Sequence, residues 1–188
     1  SFVLVSAPVC FILGLGFGIW GYLNKTVEEA LQPILNFMQT LPHFSYLVPI
    51  MVLFGVGDHA GAIATIIFAT PPMIRLTILG LRKVSPDIVD SGLMSGCNKF
   101  QLLFKVLIPT ARKDILIGVN QVIMQCLAMT TIAAFIGAKG LGFNLKVALN
   151  SLEIGKAAEI GLCVVLIAVI LDKYSLAWAN KKKDYFAN

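Results

Sequence analysis

Charge is what this 188-residue chain has least of. Asp, Glu, Lys and Arg make up 13% of it, where a soluble domain carries about a quarter. Hydrophobic residues make up 57%, and mean hydropathy is +0.84. The deficit excludes a disordered chain, a nucleic-acid-binding arm and an ordinary cytosolic enzyme. Histidine is scarce too: His43 and His59 are the only two, too few for a metal site without well-placed carboxylates. His59 follows Asp58 at a short turn between apolar runs, where both read as solvated polar residues. No Ser-His-Asp or Cys-His constellation is present, and no G-x-x-x-x-G-K-[ST] phosphate loop. No catalytic residue, metal or cofactor is therefore expected in the chain. The four cysteines form no framework. Cys10, Cys126 and Cys163 lie in apolar stretches, where Cys behaves as a small buried hydrophobe, and Cys97 lies in a basic loop with no obvious partner.

Long uncharged runs take the place of charge. Ser1–Asn24, Ala30–Gly57 and Ile115–Ala138 contain no Asp, Glu, Lys or Arg. Each reaches the roughly 20 residues that a helix needs to cross a bilayer core. The fold expected is an all-α polytopic membrane protein, one transmembrane domain over residues 1–188. Five spans can be drawn: Phe2–Leu23; much of Pro33–Gly57, interrupted by Pro42 and Pro49; Ala60–Leu81, carrying Pro71-Pro72; Ile115–Gly137; and Ala157–Ala179. The last is the weakest, because Glu159 and Asp172 bracket an apolar core of only Ile160–Leu171. A re-entrant hairpin made from parts of the second and third spans is an alternative. The chain begins inside an apolar run, without Met or a basic flank, as expected of a chain with residues upstream.

The formal charge of +5 falls mainly in loops, which suits a membrane surface better than nucleic acid. Basic residues also orient the spans. With the tail bearing Lys181, Lys182 and Lys183 in the cytoplasm, alternation puts Lys25–Gln32 and Arg75–Asp114 on the same side, and with Lys173 added 12 of the 15 basic residues are inside. Only Lys139, Lys146 and Lys156 are left outside. Trp20, Tyr22, Tyr174 and Trp178 mark the inner interface. The N-terminus is thus expected outside and the C-terminus inside.

Several local patterns carry structural or functional meaning. Gly16-Phe-Gly18-Ile-Trp-Gly21 spells a dinucleotide fingerprint but lies within a span, where the overlapping Gly14-x-x-x-Gly18 reads as helix packing. Pro71-Pro72 removes two backbone donors and is expected to disrupt the third span, either beside a water-filled path or as a packing kink. Asn120, Gln121 and Gln125 form a polar cluster in the fourth span that either binds a neighbouring helix or lines a path. Gly137–Gly142 reads as a flexible outer turn or as a gate or docking surface. Between spans three and four, Ser85-Pro86-Asp87 signals a helix start. That helix is expected to break at Gly96, and Asn98 to cap a second short helix that stops before Pro109. The result is an amphipathic hairpin over residues 85–109, either lying on lipid or docking a soluble partner.

Asp90-Ser91-Gly92, then three residues, Gly96, nine more residues and Val106-Leu107-Ile108-Pro109, resembles the E-A-A-x3-G-x9-I-x-L-P loop of ABC importer permeases. Leu41–Pro49, Ile66–Leu76, Asn120-Gln121, Gly140–Gly142 and Leu171–Lys173 resemble the glycine betaine/proline betaine/choline branch of these permeases, so the likeness covers nearly the whole chain. Asp replaces Glu, Ser-Gly replaces Ala-Ala, and Ile stands where Leu is usual before Pro109. Gly92 weakens its helix by about 1 kcal/mol relative to Ala. The resemblance implies a five-span permease core with a cytoplasmic coupling-helix hairpin, in a bacterial inner membrane. It implies partners as well: a second permease copy, two cytoplasmic ATPase subunits that carry ATP and Mg, and an extracytoplasmic substrate-binding protein or fused domain. A small quaternary or methylated amine would cross by alternating access, with Pro71, Pro72, Asn120, Gln121 and Gln125 as path candidates. A channel or structural subunit without ATP coupling is the alternative, against which the hairpin speaks.

Overall fold

The computed structural model describes residues 3–181. Phe2, Lys182 and Lys183 lie outside the described residues, as do the side chains of Trp178 and Lys181. Every regular element among the described residues is helical: α1 (Val3–Leu23), α2 (Lys25–Thr40), α3 (His43–Phe54), α4 (Asp58–Arg82) and α5 (Pro86–Met94). Then come α6 (Lys99–Gln101), a π-helical stretch Leu102–Leu107, α7 (Ile108–Ala133) with a 3-10 end at Ala134–Ile136, α8 (Leu141–Asn150) and α9 (Ile154–Lys181). The segments Val3–Leu23, Asp58–Arg82, Lys99–Ile136 and Ile154–Ala177 are each long and apolar enough to span a bilayer. The pair α2 and α3 makes a fifth, bent by 97°.

α4 is the centre of the bundle, flanked by α1 and α7. Its contact with α1 depends on the absence of side chains. A Cβ on Gly14 would overlap the Met73 side chain, and one on Gly18 would lie 2.5 Å from Thr77 Cβ. Across the opposite contact, a Cβ on Gly118 would come 2.8 Å from Met73 Sδ, and one on Gly80 would come 2.8 Å from Asp114 Cβ. These meetings make α1 parallel to α4 and α7 antiparallel to both. Lipid tails are as apolar as the helices, so close van der Waals approach is what holds such spans together. Gly14-x-x-x-Gly18 is a packing motif. A core of Cys10, Ala69, Met73, Ala111, Val122 and Cys126 fills one half of the bundle. Tyr46, Leu47, Ala64, Phe68 and Met129 fill the other.

Proline behaves less simply than sequence rules suggest. Pro42 does break the second span: Leu41, the residue before it, is extended at φ −70° and ψ 135°, as the proline ring requires. Pro49 lies inside α3, and Pro71-Pro72 inside an unbroken α4. The expected disruption at Pro71-Pro72 is absent because α1 and α7 clamp the helix from both sides. The Thr70 hydroxyl also donates to the Ile66 carbonyl one turn back, at 2.6 Å. Pro109 likewise fails to stop its helix. The π turn just upstream shifts the ladder so that Ile108 N–H donates to Leu103, and Pro109 falls in the first turn of α7, where its missing donor costs little.

Arg75 lies within α4, seven residues before its end, inside the third span as drawn from the sequence. Three other expectations are corrected. The turn after Gly137 gives way to a 10-residue helix, α8. It fits tightly on α7, since a Cβ on Gly142 would lie 2.5 Å from the Thr130 carbonyl oxygen. Asp58 is no idle turn residue: its Oδ1 accepts from the Lys139 backbone N–H at 2.7 Å, pinning that turn to α4. The fifth span, expected to be the weakest, is the most apolar of the four straight ones. Asp172 is accommodated there because Asn120 Nδ2 on α7 donates to its Oδ1 at 2.9 Å, and Ser175 Oγ lies against Asn120 Oδ1. Little of that span is buried, which leaves Leu162, Val165, Val169 and Ile170 facing outward.

Two outcomes are expected from this packing. Gly18→Val should cost about 1–3 kcal/mol by overpacking against Thr77, whereas Gly16→Val, with open space around its Cβ position, should cost far less. Thermal unfolding of the detergent-purified variants checks the contrast. Asn120→Leu should cost about 1 kcal/mol through the lost bond to Asp172. Adding Asp172→Leu should recover most of that loss in the same assay, because no carboxylate within the span is then left unpaired.

Candidate functional site

The bend between α2 and α3 opens a cleft of about 570 Å³ against α4 and α7. Its walls are Gln39, Leu41, His43, Phe68, Pro72, Arg75, Leu76, Leu79, Gln121 and Gln125. The α4 members recur at intervals of three and four residues, which puts them on one helix face. That face is turned away from the Met73 and Thr77 face gripped by α1. Gln121 and Gln125 are one turn apart on α7. At its aromatic end, His43 stacks on Phe68 with ring centroids 4.2 Å apart. At its polar end Arg75 Nη2 donates to Asn36 Oδ1 on α2. Arg75 Nε is buried and has no acceptor among the described residues.

Of the path candidates, the cleft thus brings together Pro72, Gln121 and Gln125. Pro71 is fully buried in the packed core, and Asn120 faces α9. Arg75, Phe68 and His43 escape sequence reading. Arg75 reads only as one of the inside charges, and neither ring stands out from the aromatics that any span contains. The available signal is the spacing Phe68, Pro72, Arg75, which marks one face. Next to the cleft, Arg82 pairs with Glu28 of α2, and Lys83 with Asp114 of α7 at 2.8 Å. These pairs close the end of the bundle where the hairpin begins.

The hairpin over residues 85–109 is built from standard helix-end chemistry. Ser85 occupies the cap position of α5 without a side-chain cap bond, and Pro86 starts the helix. Gly96, at φ 77°, ends it. Gly96 N–H donates to Leu93 and Cys97 N–H to Gly92, which together form a Schellman cap. Asn98 and Gln101 then form a reciprocal capping box for the next turn. Gly92 is buried against Leu102 and Val106, so its low helix propensity is offset by close packing of the two arms. Leu103 and Leu107 turn inward. Asp90, Ser91, Gly96 and Pro109 are exposed, and Val106 and Ile108 are half-buried. Met94 is 90% exposed and Phe100 71%, the latter stacked on Phe104. The hairpin therefore presents an apolar tip, with Asp87 and Asp90 exposed on its first arm and Lys99 and Lys105 on its second.

Comparison with known proteins agrees with this architecture. Residues 11–177 match the family model for the binding-protein-dependent transport system inner membrane component. The chain is 62% identical over its full length to the trimethylamine N-oxide transport system permease protein TmoV of Pelagibacter ubique, and it spans 26% of that protein. It is 40% identical over 98% of its length to the glycine betaine transport system permease protein OpuAB of Bacillus subtilis, spanning 65% of it. Among solved structures, an inward-facing MetNI methionine ABC transporter superposes with a TM-score of 0.84 at 18% identity, covering 96% of this chain and 90% of the other. The packed spans, the hairpin and these likenesses lead to one assignment: the chain belongs to the family of binding-protein-dependent inner membrane permeases of ABC importers.

Proposed function

We propose that this chain is the membrane pathway of an ATP-driven importer for a small methylated or quaternary amine, of the trimethylamine N-oxide or glycine betaine kind. The observation that carries the reading is the cleft. A largely apolar, aromatic-edged cavity with Arg75, Gln121 and Gln125 set into its wall lies between helices apolar enough to cross a bilayer, in a chain whose relatives carry such solutes by name. Irregular or polar groups at membrane depth are tolerated where they line a water-filled cavity. Pro72, Gln121 and Gln125 would line the path. Two copies of the permease would face each other across it and open alternately to each side. A binding protein, or a binding domain fused in the same polypeptide, would deliver the solute from outside.

The hairpin at residues 85–109 would receive two cytoplasmic ATPase subunits, which carry ATP and Mg. Its exposed Met94 and Phe100 suit an apolar socket on such a partner, and Asp90 supplies one charge for register. Alternating access then follows from ATPase closure pushing on α5 and on the π stretch packed beside it, the latter running directly into α7. The reading places the hairpin in the cytoplasm, the N-terminus of the chain outside and the C-terminus inside, and it accounts for the bias of basic residues.

Three measurements test the proposal. In a background with Cys97→Ser and Cys163→Ser, Lys99→Cys should react with an impermeant maleimide only in inverted vesicles. Ser151→Cys should react in intact cells, and the reverse pattern would overturn the orientation. The complex of permease, ATPase and binding protein in liposomes should take up trimethylamine N-oxide or glycine betaine only with ATP present. Competition by sugars or amino acids, with none from methylated amines, would overturn the substrate class. Gly96→Val, which forces a branched residue into the left-handed region, should insert normally yet lose ATPase pull-down and solute-stimulated hydrolysis. Asp90→Lys should do the same. Full transport by both variants would remove the hairpin from the mechanism.

A further inference from the structure

Arg75 is the anomaly of the cleft. It lies seven residues, or about 10 Å of helix rise, inward from Arg82, and Arg82 is already paired with Glu28 at the bundle's end. Among the described residues no carboxylate lies within ion-pair distance of Arg75, its Nη2 is held by the neutral Asn36, and its Nε is buried without an acceptor. A charged group at such depth is costly unless something completes its hydrogen bonding. Phe68, two turns earlier on the same face, stacks with His43 at the other end of the cleft. The cleft is thus dipolar, with a cationic donor at one end and aromatic faces at the other.

We infer that Arg75 is the specificity-determining residue for the oxygen end of the solute. It donates to a carboxylate or amine-oxide oxygen while the methylated nitrogen rests on the His43–Phe68 rings. This inference rests on the proposed function and adds an oriented subsite within the membrane. A guanidinium offers forked donors that match an oxyanion, and aromatic faces attract a methylated cation. A cleft of about 570 Å³ exceeds a solute of this size, so water fills the remainder and binding is weak and easily reversed. A methylated cation without an oxygen gains only the aromatic half of this recognition and feels the repulsion of Arg75.

The test uses the permease–ATPase complex in nanodiscs, without the binding protein. Saturation-transfer NMR would follow glycine betaine, trimethylamine N-oxide and tetramethylammonium. Arg75→Met should weaken the two oxygen-bearing solutes about tenfold or more and leave tetramethylammonium unchanged or tighter. Arg75→Lys, which keeps the charge but loses the fork, should fall between, and it serves where the Met variant fails to assemble with the ATPase. In liposomes with saturating binding protein, uptake of glycine betaine by Arg75→Met should drop in parallel, while affinity of the binding protein for solute stays the same. Equal weakening of all three solutes in both variants would make Arg75 a structural residue and overturn the inference, as would unchanged binding and uptake. Failure of the wild-type complex to carry any methylated amine would instead overturn the proposed function.

Discussion

The closeness of α1 and α7 to α4 is the constraint on which the rest depends. Two glycines of α1 and one of α7 let side chains of α4 press against bare backbone, and Gly80 returns the arrangement by receiving Asp114. Dispersion at such short range substitutes for the hydrophobic driving force that lipid does not supply between helices. Gripping α4 along Met73, Thr77 and Gly80 also decides where its remaining face points. Phe68, Pro72, Arg75 and Leu79 are rotated out of the grip, and the bent α2–α3 pair covers them only in part. The cleft is therefore a geometric consequence of the glycine contacts.

Composition is enough to recognise the spans, because uncharged runs of bilayer length suit little besides a membrane. Local chemistry is equally legible in the hairpin, where Gly96 and Asn98 act through neighbours one turn away. What stays hidden depends on distant partners. Pro42 breaks its helix while Pro49, Pro71 and Pro72 do not, and nothing adjacent in sequence separates the cases. The difference is whether neighbouring helices hold the backbone in place. α8 escapes notice because Gly140 at its start offers no capping side chain, and its 10 residues mix apolar with polar ones. Arg75 falls within its span in the sequence, but its place on the cleft wall depends on how α2, α3 and α7 pack around α4.

Polar residues inside the spans divide into two kinds, and the division separates architecture from site. Asn120, Asp172 and Ser175 satisfy one another across α7 and α9. That network joins the two helices, and its contribution is to hold α9 on the bundle. Arg75 is held on one side only, by a neutral amide. Buried polar groups are generally paired, so an incomplete one beside an open cavity marks the place where a solute or water completes the set. Asn120 and Gln121 are adjacent in sequence, yet they fall on opposite sides of this line because successive helix residues point about 100° apart.

The continuity of Lys99–Ile136 gives the hairpin mechanical reach. Thirty-eight residues of nearly unbroken helix extend about 55 Å, from the capping box at Asn98 past Gln121 and Gln125 to the turn pinned by Asp58. The π stretch at Leu102–Leu107 is the one departure from α geometry along the first part of that length, and it lies where α5 folds back through Gly92. Under the proposed function, a load applied at the exposed tip would pass through this stretch into α7, with which it is continuous. α7 cannot simply slide, since Lys83–Asp114 ties its start to α4 and Gly118 is locked against Met73. Rotation or tilt is the motion left, and either one would carry the two glutamines of α7 across the face of α4 that bears Arg75. The same contacts that create the cleft would then also determine how its width changes.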